Sequence, residues 1–402
     1  MSEALTQLDR WIMQNGWAGY DPYDIRGQDW FIVLFGHQTW LHRKLRGVLG
    51  LIEQHLPPHA LRKVLRIKKT INPKGMGLLA SACLSQYKVT AEKQFLVRAE
   101  AILAWLTANG NRVYPGISWG YPFHWQSRIF IPRGTPSVVV TGTVGDAWIE
   151  HYELTKSQES KNTLERIAQF LLKGLNRYQK SSDQICFSYT PLDTYKVHNA
   201  NLFAAAFLAR LGVITGEDQY SRLALDAVRY TISEQNSAGS FYYWGSEPPT
   251  IIDHYHTGFV LRHLDTVQRA TGADFIGEPL KRGYQFYLDN LFTADGIPKF
   301  TPDSLYPIDI HSCSEAIICV SQLGQAFGGL DRIEPVLRFA IDNMQTDEGY
   351  YIAEIRKRWW GDQKATVPYM RWAQAWMLLA LARLLAIVSQ EDKCTPTVSR
   401  KQ

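Results

Sequence analysis

The chain has 402 residues, of which 46% are apolar and 20% charged, and its formal net charge is +5. This is the balance of a folded globular protein with a large core. It excludes an intrinsically disordered chain, and so small a net charge gives no ground for nucleic-acid binding.

The opening residues, MSEALTQLDRWIMQNG, show no basic region followed by an apolar run, so no secretory signal is expected there. No stretch reaches the roughly 18–20 continuous apolar residues of a membrane span. The longest candidate, Ala373 to Val388, is interrupted by Gln374 and Arg383. Cys83, Cys186, Cys313, Cys319 and Cys394 are odd in number and form no CxxC pair. They fit a reduced, cytoplasmic location better than a disulfide framework or a structural zinc site.

In chain order, LTQLDRWIMQNGWAGYDPYD reads as an amphipathic helix and its exit. An insertion over about 30–70 follows: an apolar-basic helix near 30–54, then a short basic helix after Pro57-Pro58. From Arg43 to Lys74 there are nine Lys or Arg against the single acid Glu53. Residues 42–69 are therefore expected to recruit an anion, either a polyanionic glycan or the surface of an anionic membrane. A merely solvated charged face is the plainer alternative.

Beyond the insertion the chain repeats. Thr90, Thr155, Thr215 and Thr271 each close an apolar helix and precede a polar turn and an amphipathic helix, at spacings of 65, 60 and 56 residues. A fifth copy carries Gly328-Gly329 in place of the Thr. The helix before each marker is apolar nearly all round and so reads as inner, doubly covered; the one after it reads as outer. Inner helices are predicted at 74–89, 136–154, 199–214, 256–270, 311–326 and 369–388, and outer helices at 92–107, 159–176, 218–235, 278–291 and 331–344. The missing outer helix is the N-terminal one, which would pair with the last inner helix and close a ring. The prediction is an all-α (α/α)6 toroid over residues 1–388, with short β-like loops on one face and a flexible tail over 389–402. An open solenoid is the alternative, and the complementary chain ends argue against it.

The chain holds 13 Trp, 20 Tyr and 17 Phe, and many of them sit in the five long outer-to-inner links. Flat amphipathic rings there suit sugar faces as well as protein packing. Each link ends in polar residues at an inner-helix start: Arg128; His198, Asn199 and Asn201; Asp253, His254 and His256; Asp309, His311 and Glu315; and Tyr369, Arg371 and Trp372. The N-terminal link adds Tyr23, Asp24 and Arg26. Asn199, Asp253 and Asp309 read equally well as N-caps, but capping needs no histidine. We therefore expect His198, Asp253, His256, Asp309, His311 and Arg371 in one pocket rimmed by Trp119, Trp125 and Trp372, with Tyr121 beside them. Arg26, Arg128 and Arg371 suit a carboxylate or phosphate, or structural pairing with Asp24 or Asp309. No HExxH, P-loop, GxGxxG after a strand, or GxSxG occurs, so neither a metal nor a cofactor is expected.

The segments PYDIRG (22–27), INPKG (71–75), WGYPFHWQSR (119–128), FSYTPLD (187–193), VHNAN (197–201), HTGFV (256–260), YPIDIHS (306–312) and PYMRWAQAWM (368–377) resemble the six-hairpin glycosidase-like (α/α)6 superfamily. Within it they look like a subfamily associated with bacterial surface-polysaccharide biosynthesis. The resemblance implies a saccharide substrate, anionic if the arginines are used, and leaves three reactions. A sugar epimerase would pass protons through His198, His256 and His311, and a uronyl C5-epimerase would pair a Tyr or His with a Glu or Asp while an Arg holds the carboxylate. A hydrolase or lyase would use Asp253 with Asp309. A non-catalytic glycan-binding scaffold is the reading from another class.

Overall fold

The computed structural model describes residues 1–35, 44, 58–245 and 250–394. Six inner helices form the wall of a ring: α4 (Pro73–Thr90), α6 (Val138–Thr155), α8 (His198–Thr215), α10 (His254–Thr271), α12 (Ile310–Phe327) and α14 (Ala375–Cys394). Each packs on the next, and α14 packs back on α4, so the ring is closed. Outer helices α5 (Lys93–Ala108), α7 (Gln158–Lys173), α9 (Asp218–Ser233), α11 (Gly277–Asn290) and α13 (Ile333–Met344) cover it. The sixth outer helix is α1 (Ser2–Asn15), seated on α14. This is the (α/α)6 toroid expected. The last helix departs from the expected boundary by running to Cys394, and residues 395–402 of the proposed tail lie outside the described residues.

The repeated threonine is a helix terminator with a definite geometry. Thr90, Thr155, Thr215 and Thr271 donate their hydroxyls to the carbonyl four residues back, at 3.1, 2.8, 2.9 and 2.8 Å. The next residue then turns left-handed, and where this is Gly216 (φ 75°) or Gly272 (φ 69°) the turn carries no Cβ penalty. At Thr90, Thr155 and Thr215 the same hydroxyl accepts the amide two residues on, which starts the outer helix.

Three small antiparallel sheets lie in the long links: β1 (Trp125–Gln126) with β2 (Phe130–Ile131), β3 (Arg177–Ser181) with β4 (Gln184–Phe187), and β5 (Ile308–Asp309) with β6 (Glu354–Arg358) and β7 (Gly361–Ala365). The helix Met370–Ser389 is long and apolar enough by composition to cross a bilayer, but here it is a wall of the ring.

The insertion contributes α2 (Asp29–Phe35) and α3 (Pro58–Val64). Most of residues 36–57, including the expected basic helix, lies outside the described residues. One part of the anion-recruiting surface is corrected by the structure. Arg62 is buried and paired with Asp24 at 2.8 Å, while Leu61 and Ile67 pack on Ile25, so this stretch anchors the N-terminal link.

Helix α1 buries Leu5, Leu8, Trp11 and Ile12, and its Asp9 pairs with Arg98 of α5 at 2.7 Å. Deleting residues 1–20 should uncover α14 and yield an aggregating protein. The milder Leu8→Ala should cost about 2–5 kcal/mol in chemical denaturation. A soluble deletion variant with an unchanged melting temperature would refute this account of ring closure.

Candidate active site

All six inner helices start on the face that carries the long links, and one register relation organises what they present there. The residue two past the N-cap of each helix lines the same axial cavity. These residues are Lys74, Val139, Asn199, Tyr255, His311 and Arg371, counted from the caps Asn72, Ser137, Val197, Asp253, Asp309 and Tyr369. His256 and Trp372, one residue further, join them. Tyr23, Tyr121, Trp125, Tyr189 and Tyr243 from the links complete an aromatic wall around a volume of about 80 Å³. A wider pocket of about 350 Å³, with Arg26, Asp309, Glu354 and Tyr369 in its lining, shares Tyr23 and Trp372 with the cavity.

The two cavity histidines stand on neighbouring helices in different settings. Asp253 caps α10 by accepting the His256 amide at 2.9 Å, and its other oxygen accepts from His256 Nδ1 at 2.6 Å. That bond fixes the ring and leaves Nε2 as the nitrogen free to exchange a proton. Among the described residues, neither ring nitrogen of His311 finds a hydrogen-bond partner. Its ring stacks on Tyr255 at 4.7 Å and meets Trp372 edge-on at 4.7 Å. Burial, then the positive charges of Lys74 and Arg371, hold its pKa well below the usual histidine value, so it is neutral.

Asp309 caps α12 through the His311 amide at 2.8 Å and also accepts from Trp372 Nε1 at 3.0 Å. Burial, with Glu354 nearby, pushes its pKa up to about 7. Arg371 sits in a widened five-residue turn ahead of α14 and is paired with the buried Asp21 through Nε at 2.6 Å and Nη2 at 2.8 Å. Lys74 forms no salt bridge among the described residues. Its ammonium lies 5.3–6.0 Å from the ring centres of Trp376, Phe259 and Phe203. Burial, then Arg371, bring its pKa down to about 7.

Of the residues expected at one pocket, His256, His311, Arg371, Asn199, Tyr23, Tyr121, Trp125 and Trp372 line the cavity. Asp253 and Asp309 stand behind the histidines as caps. Others lie outside this cavity, although His198 shares a small adjoining pocket with Asn199, Asp253 and His256. His198 and His254 occupy the first helical position, about 100° around the axis from the cavity-facing one. His198 lies between Tyr230 and Phe241, and His254 between Tyr287 and Phe292. Burial lowers their pKa values to about 4 and about 3.

Asn201 is a structural bracket, donating to the Ala227 carbonyl at 2.8 Å and accepting from the Phe187 amide at 2.9 Å. Trp119 is a core residue bonded to the Leu106 carbonyl. Glu315 is locked to Arg262, which bonds both carboxylate oxygens at 2.5 and 3.0 Å. Asp24 pairs with Arg62. Arg128 lies over Trp244, 4.4 Å from its ring centre, and Arg26 and Tyr369 belong to the wider pocket. The anticipated partner of Arg371 is also corrected: it is Asp21, not Asp24 or Asp309.

Lys74, Tyr255, Tyr189, Tyr243 and Asp21 were missed. Aligning the six helices by their caps would have found Lys74 and Tyr255. No group of three or more His, Cys, Asp or Glu among the described residues is placed to hold a metal ion. A larger depression of about 1160 Å³ opens on the opposite face. Its Arg210 and Arg383 are already paired with Asp146, Glu153 and Glu150, and the six cavity positions do not reach it.

No family model and no curated protein matches the chain. Solved structures do. Cellobiose 2-epimerase from Bacillus thermoamylovorans superposes with a TM-score of 0.60 at 12% identity, covering 78% of this chain and 87% of that one. The family 76 glycoside hydrolase (mannosidase) Bt3792 from Bacteroides thetaiotaomicron gives 0.60 at 13% identity, with coverage of 80% and 88%. A family 76 glycoside hydrolase from a bovine Bacteroides thetaiotaomicron strain gives 0.62 at 9% identity, with coverage of 97% and 77%. The likeness establishes the (α/α)6 barrel fold for this chain.

The raised pKa of Asp309 gives a stability prediction. The folded protein holds the Asp309 proton up to about pH 7, whereas the unfolded chain releases it near 3.8. This contribution is therefore fully present below pH 3.8 and is lost as pH rises to 7. Asp309→Asn keeps an acceptor for Trp372 and does not titrate. Its melting temperature relative to wild type should rise between pH 4 and 7 and then level off; a pH-independent difference would contradict the assignment.

Proposed function

We propose that the chain is a carbohydrate-active enzyme that moves a proton at a sugar carbon, an epimerase acting in polysaccharide biosynthesis or modification in the cytoplasm. The observation that carries this reading is the make-up of the axial cavity. Two histidines from adjacent helices line it, each with a free ring nitrogen, and among the described residues no Asp or Glu does. Proton transfer beside a carbonyl needs a base on one face and an acid on the other. His311, neutral, can take the proton. His256, backed by the Asp253 carboxylate, can deliver one from Nε2. Perturbed, desolvated titratable groups in an aromatic cavity favour an enzyme over a passive glycan binder. Structural neighbours that include a cellobiose 2-epimerase make the fold compatible with this chemistry.

A hydrolytic reading has one observation in its favour. Asp309 lines the wider pocket with a pKa near 7, which suits a general acid, and mannosidases share the fold. Its partner would be Asp253, both of whose oxygens are engaged by His256.

Incubation with the glycan in D2O should place deuterium at one sugar carbon without shortening the chain. His256→Ala and His311→Ala should each slow the exchange by about 10²–10⁴-fold. New reducing ends without exchange would move the assignment to hydrolase. A 4,5-unsaturated product absorbing in the ultraviolet would move it to lyase.

A further inference from the structure

We propose that the substrate of this cavity is a sugar acid and that Lys74 is the receptor for its carboxylate. The inference rests on the proton-transfer reading and adds to it the class of sugar and the carbon that reacts.

Lys74 is buried at the second helical position of α4 and lines the cavity, yet among the described residues its side chain finds no ion-pair or hydrogen-bond partner. A buried ammonium is costly unless it is paired. The carboxylates near enough to act on it are Asp21 and Glu315, and each is held by an arginine, Arg371 and Arg262. The other groups facing this space are His311 and His256, both histidines. The cavity thus presents one unpaired cation and, among the described residues, no carboxylate. Three aromatic rings around the amine favour its charged form without engaging its hydrogens. An oxyanion on the ligand supplies what the fold leaves out.

Carboxylate is favoured over phosphate by the neighbouring chemistry. When a carboxylate sits on Lys74, the carbon that bears it lies in the space between the two histidines. The C–H bond of that carbon breaks, with its proton going to His311. The bonding pair moves into the carboxyl group, forming an enediolate whose added charge Lys74 stabilises. His256 then delivers a proton to the opposite face and the C–H bond re-forms. Atoms and charge balance with no co-reactant, and the product is the sugar acid inverted at that carbon.

The test uses a glucuronate-containing tetrasaccharide, the same tetrasaccharide with its carboxyls reduced, and one phosphorylated at the reduced position. Binding is measured by calorimetry and exchange in D2O by NMR. Wild type should bind the acid about 10- to 100-fold more tightly than the reduced form. Lys74→Met should lose that preference, Lys74→Arg should keep part of it, and the melting temperature of Lys74→Met should be no lower than wild type. Calorimetry in buffers of different ionisation enthalpy should show proton uptake when wild type binds the acid at pH 8, and none for Lys74→Arg. A preference retained by Lys74→Met, equal binding of acid and reduced forms by wild type, or tighter binding of the phosphorylated form would each overturn the proposal. Deuterium entering the reduced sugar as fast as the acid would overturn it while sparing the proton-transfer reading. Binding of the acid through Lys74 with chain cleavage and no exchange would support the receptor and overturn the proton-transfer reading instead.

Discussion

The buried pair between Asp21 and Arg371 is the contact on which both the ring and its cavity depend. It ties the link after the N-terminal helix to the first turn of the last inner helix, 350 residues later in the chain. Around it, Tyr20 bridges to Tyr369, and Gly19 lies so close that a Cβ there would meet the Met370 Cβ at 2.4 Å. Asn72, the cap of α4, donates to the same Asp21 at 3.3 Å. The first and last walls of the ring are thus fastened to one carboxylate. Removing either member of such a pair leaves a buried charge exposed to no solvent, which typically costs about 3–5 kcal/mol.

That fastening also decides the electrostatics of the cavity. With Arg371 satisfied by Asp21, Arg262 by Glu315 and Arg62 by Asp24, three of the four buried cations among the described residues are neutralised by the protein itself. Lys74 is the remainder. Asp253 and Asp309 are set one residue layer back, where each does two jobs: it caps a helix and it bonds a cavity side chain, His256 or Trp372. The carboxylates are present around the site but withheld from its surface. The aromatic walls keep the interior poorly solvated, which strengthens every remaining charge interaction within it.

The architecture was legible because its signals are local and repeated. All four marker threonines bond back to a carbonyl at a helix end and three of them also accept a following amide, and their similar spacing made the ring countable. The site was legible only in part, for a geometric reason. The sequence reading gathered polar residues near each helix start, but on a helix one position turns a side chain by about 100°. His254 and His256 are two residues apart; one is buried against Tyr287 and the other reaches the cavity. His198 was read with His256 and His311, yet it holds the position of His254. Lys74 was overlooked because INPKG offers no histidine or acid to mark it, although it occupies the same position as His311. Asp21 carried no signal at all, since its role depends on a partner at the far end of the chain.

The same field that makes the resting cavity costly is the one a carbanionic transition state would need. Six inner helices end there with their partially positive N-termini, and Lys74 adds an ammonium that no carboxylate among the described residues pairs with. In the free protein burial, reinforced by neighbouring positive charge, holds His311 neutral and brings the Lys74 pKa down to about 7. An arriving anion reverses both effects: it favours the ammonium on Lys74 and raises the basicity of His311. A proton removed from the adjacent carbon increases the negative charge further, so the attraction is stronger in the transition state than in the bound substrate. Interactions of that kind raise the rate rather than only the affinity. A neutral sugar would meet the same cavity without discharging its unpaired cation, and would gain little from the arrangement that the ring maintains.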